Sequence, residues 1–419
     1  MSVLLGLDVG SSFLKAAILH LDDGTIGETK RVPFPDFVPG PPLHREVSPS
    51  AILAAVESLL AQFPPSDGLM LCGQMHGFVL TNPRGEPVSN YISWLDQRVS
   101  PAAFEAMRAR LTDHDLAEIG NEFRSSIAIC QLAHMHAEGV TPVSIADFVA
   151  SRLCRTSPIM DPTQAAAFGA LRLGTLEWHE TVIAKLGLSG VCWPRVLPSG
   201  SVVGTWHGHP VYSSVGDQQC ALAGALLSEG EVSVNIGTGS QIAVLTKHLP
   251  TDGLQTRPYF GDSFLRTITH IPGGRALSAL VGLLTELGSP APDQAWNYIE
   301  GAVQQTPSTD LEASLSYYPG PCGNTGFLQN LHEGNLTVGH VFRAAFEAMA
   351  ANYQSCLQRL DPDKTVTSGV FSGGVARRLL VLRELTQQAS GLPFRLSPHP
   401  EDTMFGLLVL GRRFHAGSA

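Results

Sequence analysis

The sequence contains little charge and no cluster of basic residues. Charged side chains make up 15% of the 419 residues, and the formal net charge is −10 with only 27 Lys and Arg. Binding to nucleic acid or to an anionic membrane surface needs a basic stripe or patch, which this sequence lacks. The composition therefore predicts small-molecule ligands, with neither a nucleic-acid nor a membrane partner.

Cysteine pairs and long apolar runs are also missing. The seven cysteines show no CxxC pair and no Cys/His spacing suited to zinc. They are Cys72, Cys130, Cys154, Cys192, Cys220, Cys322 and Cys356. Isolated thiols in odd number are typical of a reducing compartment, so we expect a cytoplasmic protein. The first apolar run, from Val3 to Leu7, meets Asp8 at once and has no basic flank, so we expect it to be neither a signal peptide nor a membrane anchor.

The length and the mixture of patterns predict two α/β domains. A chain of 419 residues with 44% hydrophobic content exceeds the size at which one core keeps growing. Alternating strand and helix patterns favour α/β layers. A Gly/Pro/Ser-rich stretch from Pro198 to Pro210 predicts the boundary, which gives domains 1–207 and 208–419.

A strand, a glycine turn and a second strand occur near the start of each half. The first copy runs from Val3–Val9 to Phe13–Leu19, and the second lies in Glu231–Leu245. When the two are superposed without gaps, Gly237 falls on Gly10. Two hairpins can match by chance, but their positions favour an internal duplication.

Three glycine turns, each after a predicted strand, are candidates for binding nucleotide phosphates. They lie at Asp8–Ser12, Asn235–Ser240 and Ser372–Gly374. Glycine lets the backbone approach a phosphate closely, and neighbouring hydroxyls and amides can donate to its oxygens. None is a Walker loop or a GxGxxG motif. A single turn of this kind is more often structural, whereas three together indicate a nucleotide site.

Two carboxylates lie where phosphoryl transfer would need them. Asp8 precedes the first glycine turn, a suitable place to hold Mg²⁺ directly or through water. Asp217 stands between a short predicted strand and a helix start, and could accept the proton of an attacking hydroxyl. The alternative for Asp217 is a helix N-cap, and the sequence leaves both open.

Two further polar loops suit a polyol. Gln74 and His76 form one loop, and Trp94 with Asp96 forms the other, so that an aromatic face accompanies amide, imidazole and carboxylate groups. Each has a structural alternative: a surface histidine, a core tryptophan, or an ion pair between Asp96 and Arg98.

Six segments containing these residues resemble, in the same order, the motifs of the FGGY family of carbohydrate kinases. They are LDVGSS, GQMHG, SWLDQR, VGDQQ, NIGTGS and SGGVAR. The resemblance implies an actin-like, two-lobed α/β fold with a ribonuclease-H-like duplication and a catalytic cleft between the lobes. It also implies ATP and Mg²⁺ as cofactors and transfer of the γ-phosphate to a hydroxyl of a ketose.

The resemblance further implies a role for individual residues. Asp217 would be the general base and Asp8 would support the magnesium ion. The nucleotide would contact Gly10, Ser11, Ser12, Lys15, Gly237, Thr238, Gly239, Gly373, Gly374 and Arg377. The sugar would contact Gln74, Met75, His76, Trp94, Asp96 and Gln218.

The acceptor sugar is less closely defined than the reaction. Gly253–Phe260 and Met160–Ala166 resemble the branch of the family that acts on the seven-carbon ketose sedoheptulose. The alternatives are xylulose, another ketose or a polyol, and, in a different class, a sensor that binds ATP and sugar without transferring phosphate. The chain departs from the family at Gln97, where relatives commonly carry Gly, and is shortened within 125–143 and 198–214.

Overall fold

Two antiparallel hairpins, each extended by a parallel strand, organise the chain. The computed structural model describes residues 2–249, 252–286, 288 and 292–415. The first of its two compact units comprises the described residues of 1–224, 247–264 and 401–419, and the second those of 225–246 and 265–400. The predicted boundary between residues 207 and 208 lies inside the first unit, between two paired strands. The last four residues of the predicted second domain lie outside the described residues.

The strands are short and numerous. They are β1 (Val3–Val9), β2 (Phe13–His20), β3 (Thr25–Pro33), β4 (Glu46–Val47), β5 (Leu69–Gly73), β6 (Val79–Thr81), β7 (Tyr91–Ile92), β8 (Thr141–Val143), β9 (Ile159–Met160), β10 (Leu171–Arg172), β11 (Glu177–Trp178), β12 (Arg195–Val196), β13 (Val202–Trp206), β14 (His209–Tyr212), β15 (Val215–Gly216), β16 (Glu231–Ile236), β17 (Ser240–Thr246), β18 (Gln255–Pro258), β19 (Phe264–Ile271), β20 (Glu312–Ser314), β21 (Phe327–Gln329), β22 (Ser368–Ser372) and β23 (Phe394–Leu396).

The helices alternate with these strands. They are α1 (Pro49–Leu60), α2 (Pro101–Arg108), α3 (Asp113–Glu118), α4 (Ala128–His134), α5 (Ile145–Cys154), α6 (Pro162–Ala166), α7 (Glu180–Lys185), α8 (Asp217–Gly224), α9 (Gly274–Thr285), α10 (Pro292–Gln304), α11 (Val338–Leu360), α12 (Gly374–Arg378), α13 (Leu380–Ser390) and α14 (Asp402–His415). Within the described part of the chain, no helix has the length and apolar character needed to cross a bilayer.

The main sheets of the two units share one topology. In the first unit the order is β13-β14-β5-β1-β2-β3, with β15 also paired to β5; β1 and β2 are antiparallel, and β5 is parallel to β1. In the second unit, β16 and β17 form the hairpin, β22 is parallel to β16, and β19 pairs with β17. The predicted duplication is confirmed. The hairpins differ at the turn, since Val9 pairs with Leu14 whereas Ile236 pairs with Ser240, which makes the second turn one residue shorter.

The bounds of several elements have clear local causes. Strand β1 has the predicted bounds. Helix α1 has Ser48 at its N-cap, because Pro49 suits the first helical position, where its missing N–H costs nothing. Strand β22 does not begin before Ser368, because the Asp361 carboxylate accepts the N–H groups of residues 365 and 366 and holds them in a turn.

Apolar side chains cover both faces of the first unit's sheet. One core joins β1 and β2 to α1 and α5, and another joins them to α8 and α14. Helices α8 and α14 approach very closely: a Cβ on Gly406 would lie 1.9 Å from the Cys220 carbonyl oxygen. Only glycine fits at this crossing, and the close approach holds the helix that begins with Asp217.

Candidate active site

Three parallel strands of the first unit end at the same edge of its sheet. Strand β5 lies between β1 and β15, and both Asp8 and Val215 are in register with Cys72. With neighbouring strands about 4.8 Å apart, β1 and β15 are about 10 Å apart. Ligands of open α/β sheets bind at this carboxyl edge. The structure therefore brings Asp8, the loop of residues 74–77 and Asp217 to one edge.

Asp8 is a buried carboxylate with one oxygen unsatisfied. Thr403 Oγ1 donates to Oδ2 over 2.9 Å, while Oδ1 has no hydrogen-bond partner among the described residues. Burial raises the pKa of Asp8, and the Thr403 hydrogen bond and the charge of Lys15 only partly oppose this. A divalent cation would satisfy the free oxygen and hold the carboxylate ionised.

The first glycine turn leaves its hydroxyls exposed beside Asp8. Ser11 and Ser12 are exposed, and a Cβ on Gly10 would lie 2.9 Å from the Phe13 carbonyl oxygen, so the turn needs glycine there. Lys15, a predicted nucleotide contact, forms an ion pair with Glu401 over 2.7 Å.

Asp217 begins α8 directly after β15. Its Oδ1 accepts the N–H of the next residue, Gln218, over 2.8 Å. Burial and then the charge of Asp8 raise the pKa of Asp217 to about 7, which outweighs the opposing effect of Arg257. A carboxyl group with this pKa can take up and release a proton near neutral pH.

The predicted sugar loop is tied to a buried ion pair. His76 Nε2 lies 3.3 Å from Glu122 Oε2 and 3.2 Å from an Arg257 Nη2. Arg257 Nε donates to Glu122 Oε1, and its Nη1 donates to Gln218 Oε1. Gln74 is buried as well and donates to the Gly10 carbonyl oxygen over 3.3 Å. This cluster therefore joins two predicted sugar residues, His76 and Gln218, and Gln218 directly follows the candidate base.

The charges in this cluster are well defined. Burial alone would raise the pKa of Glu122, but Arg257 and His76 outweigh it, so the pKa lies below its usual range and the carboxylate is ionised. Burial lowers the pKa of His76, and the charges of Arg257 and Arg124 add to this against the attraction of Glu122. The imidazole is therefore neutral near pH 7.

In the second predicted sugar loop, Trp94 is exposed whereas Asp96 is buried. Trp94 is 36% exposed, so its ring is available for stacking. Asp96 is fully buried, and both of its oxygens accept hydrogen bonds from Arg98 and from backbone N–H groups. In this arrangement Asp96 fixes the loop and has no oxygen free for a sugar. His44, Glu46 and Asp96 could together surround a cation, but the Arg98 guanidinium already binds both carboxylates.

Met75, the middle residue of the first predicted sugar loop, packs against the backbone of Gly216. It is buried, and its sulfur lies 2.9 Å from where a Cβ on Gly216 would be. A side chain at residue 216 would therefore displace Met75, so this glycine lets the sugar loop lie against the backbone that precedes Asp217.

A cavity of about 630 Å³ in the second unit contains two of the three predicted glycine turns. Gly237 and Thr238 of the β16–β17 turn line it together with Gly374 at the start of α12. The first residues of α9 also line it, and Arg275 donates its N–H to the Thr238 carbonyl oxygen over 2.8 Å. A cavity of this size suits a small-molecule ligand.

The residues around this cavity match the predicted nucleotide contacts only in part. Gly373 has a φ of +88°, and a Cβ there would lie 2.5 Å from the Ile236 carbonyl oxygen, so the turn requires glycine. Arg377 does not line the cavity; it donates to the carbonyl oxygens of Ser397 and His399 and so holds that loop. The neighbouring Arg378 lines it instead. Gly239 adjoins the turn, where its carbonyl oxygen accepts the Gly237 N–H over 3.0 Å.

Several site residues carried no sequence signal strong enough to select them. Arg257 lies in a segment that resembles one branch of the family, but nothing nearby assigned it a role. Glu122 is a single acidic residue in an unremarkable turn, and only the fold brings it to His76. Trp296 and Ser278 line the second unit's cavity from helices whose patterns predict packing alone.

Comparison with known proteins agrees with this architecture. Residues 3–224 match the model of the FGGY family of carbohydrate kinases, N-terminal domain. Sedoheptulokinase from Homo sapiens is 25% identical over 478 residues, covering 98% of each chain. Xylulose kinase from Streptomyces coelicolor is 23% identical over 94% of this chain and 84% of its own. The solved structure of ligand-bound xylulose kinase from Lactobacillus acidophilus superposes with a TM-score of 0.86 at 16% identity, covering 99% of this chain and 90% of that one.

The shared topology of the two units and this superposition define the fold as actin-like α/β, as predicted. The chain belongs to the FGGY family of carbohydrate kinases.

Proposed function

We propose that this protein transfers the γ-phosphate of ATP to a hydroxyl of a ketose, with Asp217 as the general base. The observation that carries the proposal is the position of Asp217: it follows β15 at the carboxyl edge of the sheet, beside the sugar loop of residues 74–77, and its pKa is raised to about 7. The proposal assigns the sugar and the base to the first unit and the nucleotide to the second.

The chemistry follows from these groups. The sugar oxygen attacks the γ-phosphorus, the bond from that phosphorus to the oxygen it shares with the β-phosphate breaks, and ADP leaves. The hydroxyl proton passes to Asp217. Because phosphoryl transfer has a loose transition state, the protein chiefly positions the reactants and neutralises charge, and a positioned base adds about 10²–10⁴-fold.

Magnesium fits the residues around Asp8. The buried Oδ1 without a partner is the kind of oxygen that Mg²⁺ binds, directly or through water. Bound there, the ion would neutralise charge on the transferring phosphates. Gly10, Ser11 and Ser12 would donate to the same phosphates from the adjacent turn, and Lys15 lies one strand away, paired across to Asp8.

The nucleotide is assigned to the cavity of the second unit. Gly237, Thr238 and Gly239 would approach its phosphates, and Gly373 and Gly374 its adenosine. We assign Arg378 rather than Arg377 to nucleotide contact, because Arg378 is the one of the two that lines the cavity.

Sedoheptulose is the acceptor we favour. The similarity to the human sedoheptulokinase extends over nearly the whole of both chains, and the segment Gly253–Phe260 contributes Arg257 to the polar cluster. Xylulose is the alternative, supported by the similarity to xylulose kinases. A sensor that binds without phosphate transfer is disfavoured, because it would have no use for a carboxyl group placed as Asp217 is, at the carboxyl edge of the sheet beside the sugar loop.

The test is an assay of the purified protein with Mg-ATP and a panel of neutral acceptors. Sedoheptulose, D-xylulose, L-ribulose, D-ribulose, fructose and glycerol are compared by ADP release, and the sugar phosphate is identified by mass. We expect the highest kcat/KM with sedoheptulose. Preference for another ketose would change the assigned substrate and leave the proposed mechanism unchanged. ATP binding without turnover of any acceptor would favour the sensor.

A further inference from the structure

Arg257 connects three separate stretches of the first unit through one guanidinium group. Its Nε donates to Glu122, its Nη1 to Gln218, and its Nη2 lies 3.2 Å from His76 Nε2. These partners lie in three separate parts of the chain: His76 in the loop after β5, Glu122 in the loop after α3, and Gln218 in the first turn of α8. All three guanidinium nitrogens are therefore engaged within the protein.

The ion pair between Arg257 and Glu122 is buried. The exposed fraction is 3% for the Arg257 side chain and zero for Glu122. Removing two charges from water is costly, and well-packed apolar residues can often replace such a pair without loss of stability. A buried ion pair that connects two ligand-facing side chains therefore indicates a role in their arrangement.

The backbone of His76 points to the same role. Its φ is +74°, a left-handed conformation that non-glycine residues adopt at some energetic cost and that is concentrated at functional sites. Both neighbours that hold the ring contact Nε2, and none of the described residues hydrogen-bonds Nδ1. The contacts thus fix the ring and leave one nitrogen for a ligand.

We propose that Glu122 and Arg257 are positioning residues that hold His76 and Gln218 for recognition of a neutral acceptor sugar. The inference rests on the proposed function and extends it to two residues that do not themselves face the ligand. A hydroxyl of the sugar bonds to His76 Nδ1, while Arg257 keeps the Gln218 side chain next to Asp217. Because each Arg257 nitrogen already contacts a protein group and its charge is paired with Glu122, the site favours a neutral polyol over a sugar acid or sugar phosphate.

The chain contains a matched control for this cluster. Glu118, four residues before Glu122, also contacts a buried histidine and an arginine: His179 Nε2 at 3.0 Å and Arg172 Nε at 3.4 Å. It touches none of the proposed sugar residues. The substitution Glu118→Gln therefore removes the same charge from a similar group outside the proposed site.

The experiment compares E122Q and R257K with E118Q, using the acceptor that the wild-type protein phosphorylates. We expect the KM for the sugar to rise at least about 10-fold in E122Q and R257K, as for loss of a hydrogen bond to a charged group. The KM for ATP and the rate of ATP hydrolysis without sugar stay at wild-type values in both variants, and E118Q changes none of the three. Equal increases in both KM values, or an E118Q effect matching E122Q, would overturn the proposal.

A second comparison leaves the ion pair intact, in case its variants fail to fold. H76N and Q218A are each linked to Arg257, so their effects on the sugar KM should be non-additive in the double variant. Additive effects would contradict the proposal. If the wild-type protein phosphorylates no sugar, the proposed function fails; if it does and the variants keep the wild-type sugar KM, only this inference fails.

Discussion

The backbone N–H of Gly216 donates a hydrogen bond to the hydroxyl oxygen of Thr163 over 2.8 Å. The same hydroxyl donates to Asp161 Oδ1 over 2.6 Å, and both Thr163 and Asp161 are buried. Gly216 is the last residue of β15, directly before Asp217. A buried hydrogen-bond chain therefore fixes the backbone from which the proposed base projects.

Removing that hydroxyl should disturb both stability and catalysis. Thr163→Val keeps the shape but leaves the buried Gly216 N–H without this partner, which costs about 1–3 kcal/mol, while Asp161 Oδ1 keeps the backbone N–H of residue 163. We expect a lower Tm and a lower kcat, with little change in the KM for ATP. Thr163→Ser retains the hydroxyl and should stay close to wild type. If T163V folds and keeps the wild-type kcat, the hydrogen bonds of Thr163 do not position Asp217.

The pH dependence of kcat/KM should report the proposed base. Burial and the charge of Asp8 raise the pKa of Asp217 to about 7, while Arg257 opposes them. Since the carboxyl group accepts a proton only when ionised, activity should rise as the pH increases through 7 and fall about tenfold for each unit below it. Initial rates at low sugar concentration between pH 5 and 9 measure this. Constant kcat/KM from pH 8 down to pH 5 would exclude a base with this pKa.

Two adjacent arginines of the second unit should respond differently to truncation. Arg378 lines the cavity, so Arg378→Ala should raise the KM for ATP on the order of tenfold without changing the sugar KM. Arg377 binds the carbonyl oxygens of Ser397 and His399, so Arg377→Ala should mainly lower the Tm by a few degrees. Steady-state kinetics and thermal unfolding distinguish the two. If Arg377→Ala raised the KM for ATP and Arg378→Ala only lowered the Tm, the nucleotide contact would be assigned to Arg377.

The fold was largely predictable because its strongest signals are local. The strand Val3–Val9 is an apolar run that leads into a glycine turn, and the structure gives it the predicted bounds. The domain boundary was harder to predict, because the Gly/Pro-rich segment near residue 207 that suggests a linker also forms β13 and β14. Turn residues are equally common in hairpins and in linkers, and only pairing with β5 distinguishes them.

The site was predictable where a residue lies at the end of a strand or directly after it. Asp8 is the next-to-last residue of β1 and Asp217 directly follows β15, and the ends of parallel strands meet at one edge. Glu122 and Arg257 could not be paired from the sequence, because they are 135 residues apart and no pattern links them. Arg377 was chosen over Arg378 by motif alone, and the direction of a side chain on a short helix depends on packing that the motif does not contain.

The most direct test of the account is the activity of Asp217→Asn with Mg-ATP and the preferred ketose. We expect the variant to fold and to bind ATP as the wild type does, because the cavity to which we assign the nucleotide belongs to the second unit. Formation of sugar phosphate should fall by at least about 10²-fold, the lower bound for losing a general base. Sugar phosphate formed at close to the wild-type rate would mean that another group accepts the proton, and would contradict the central assignment.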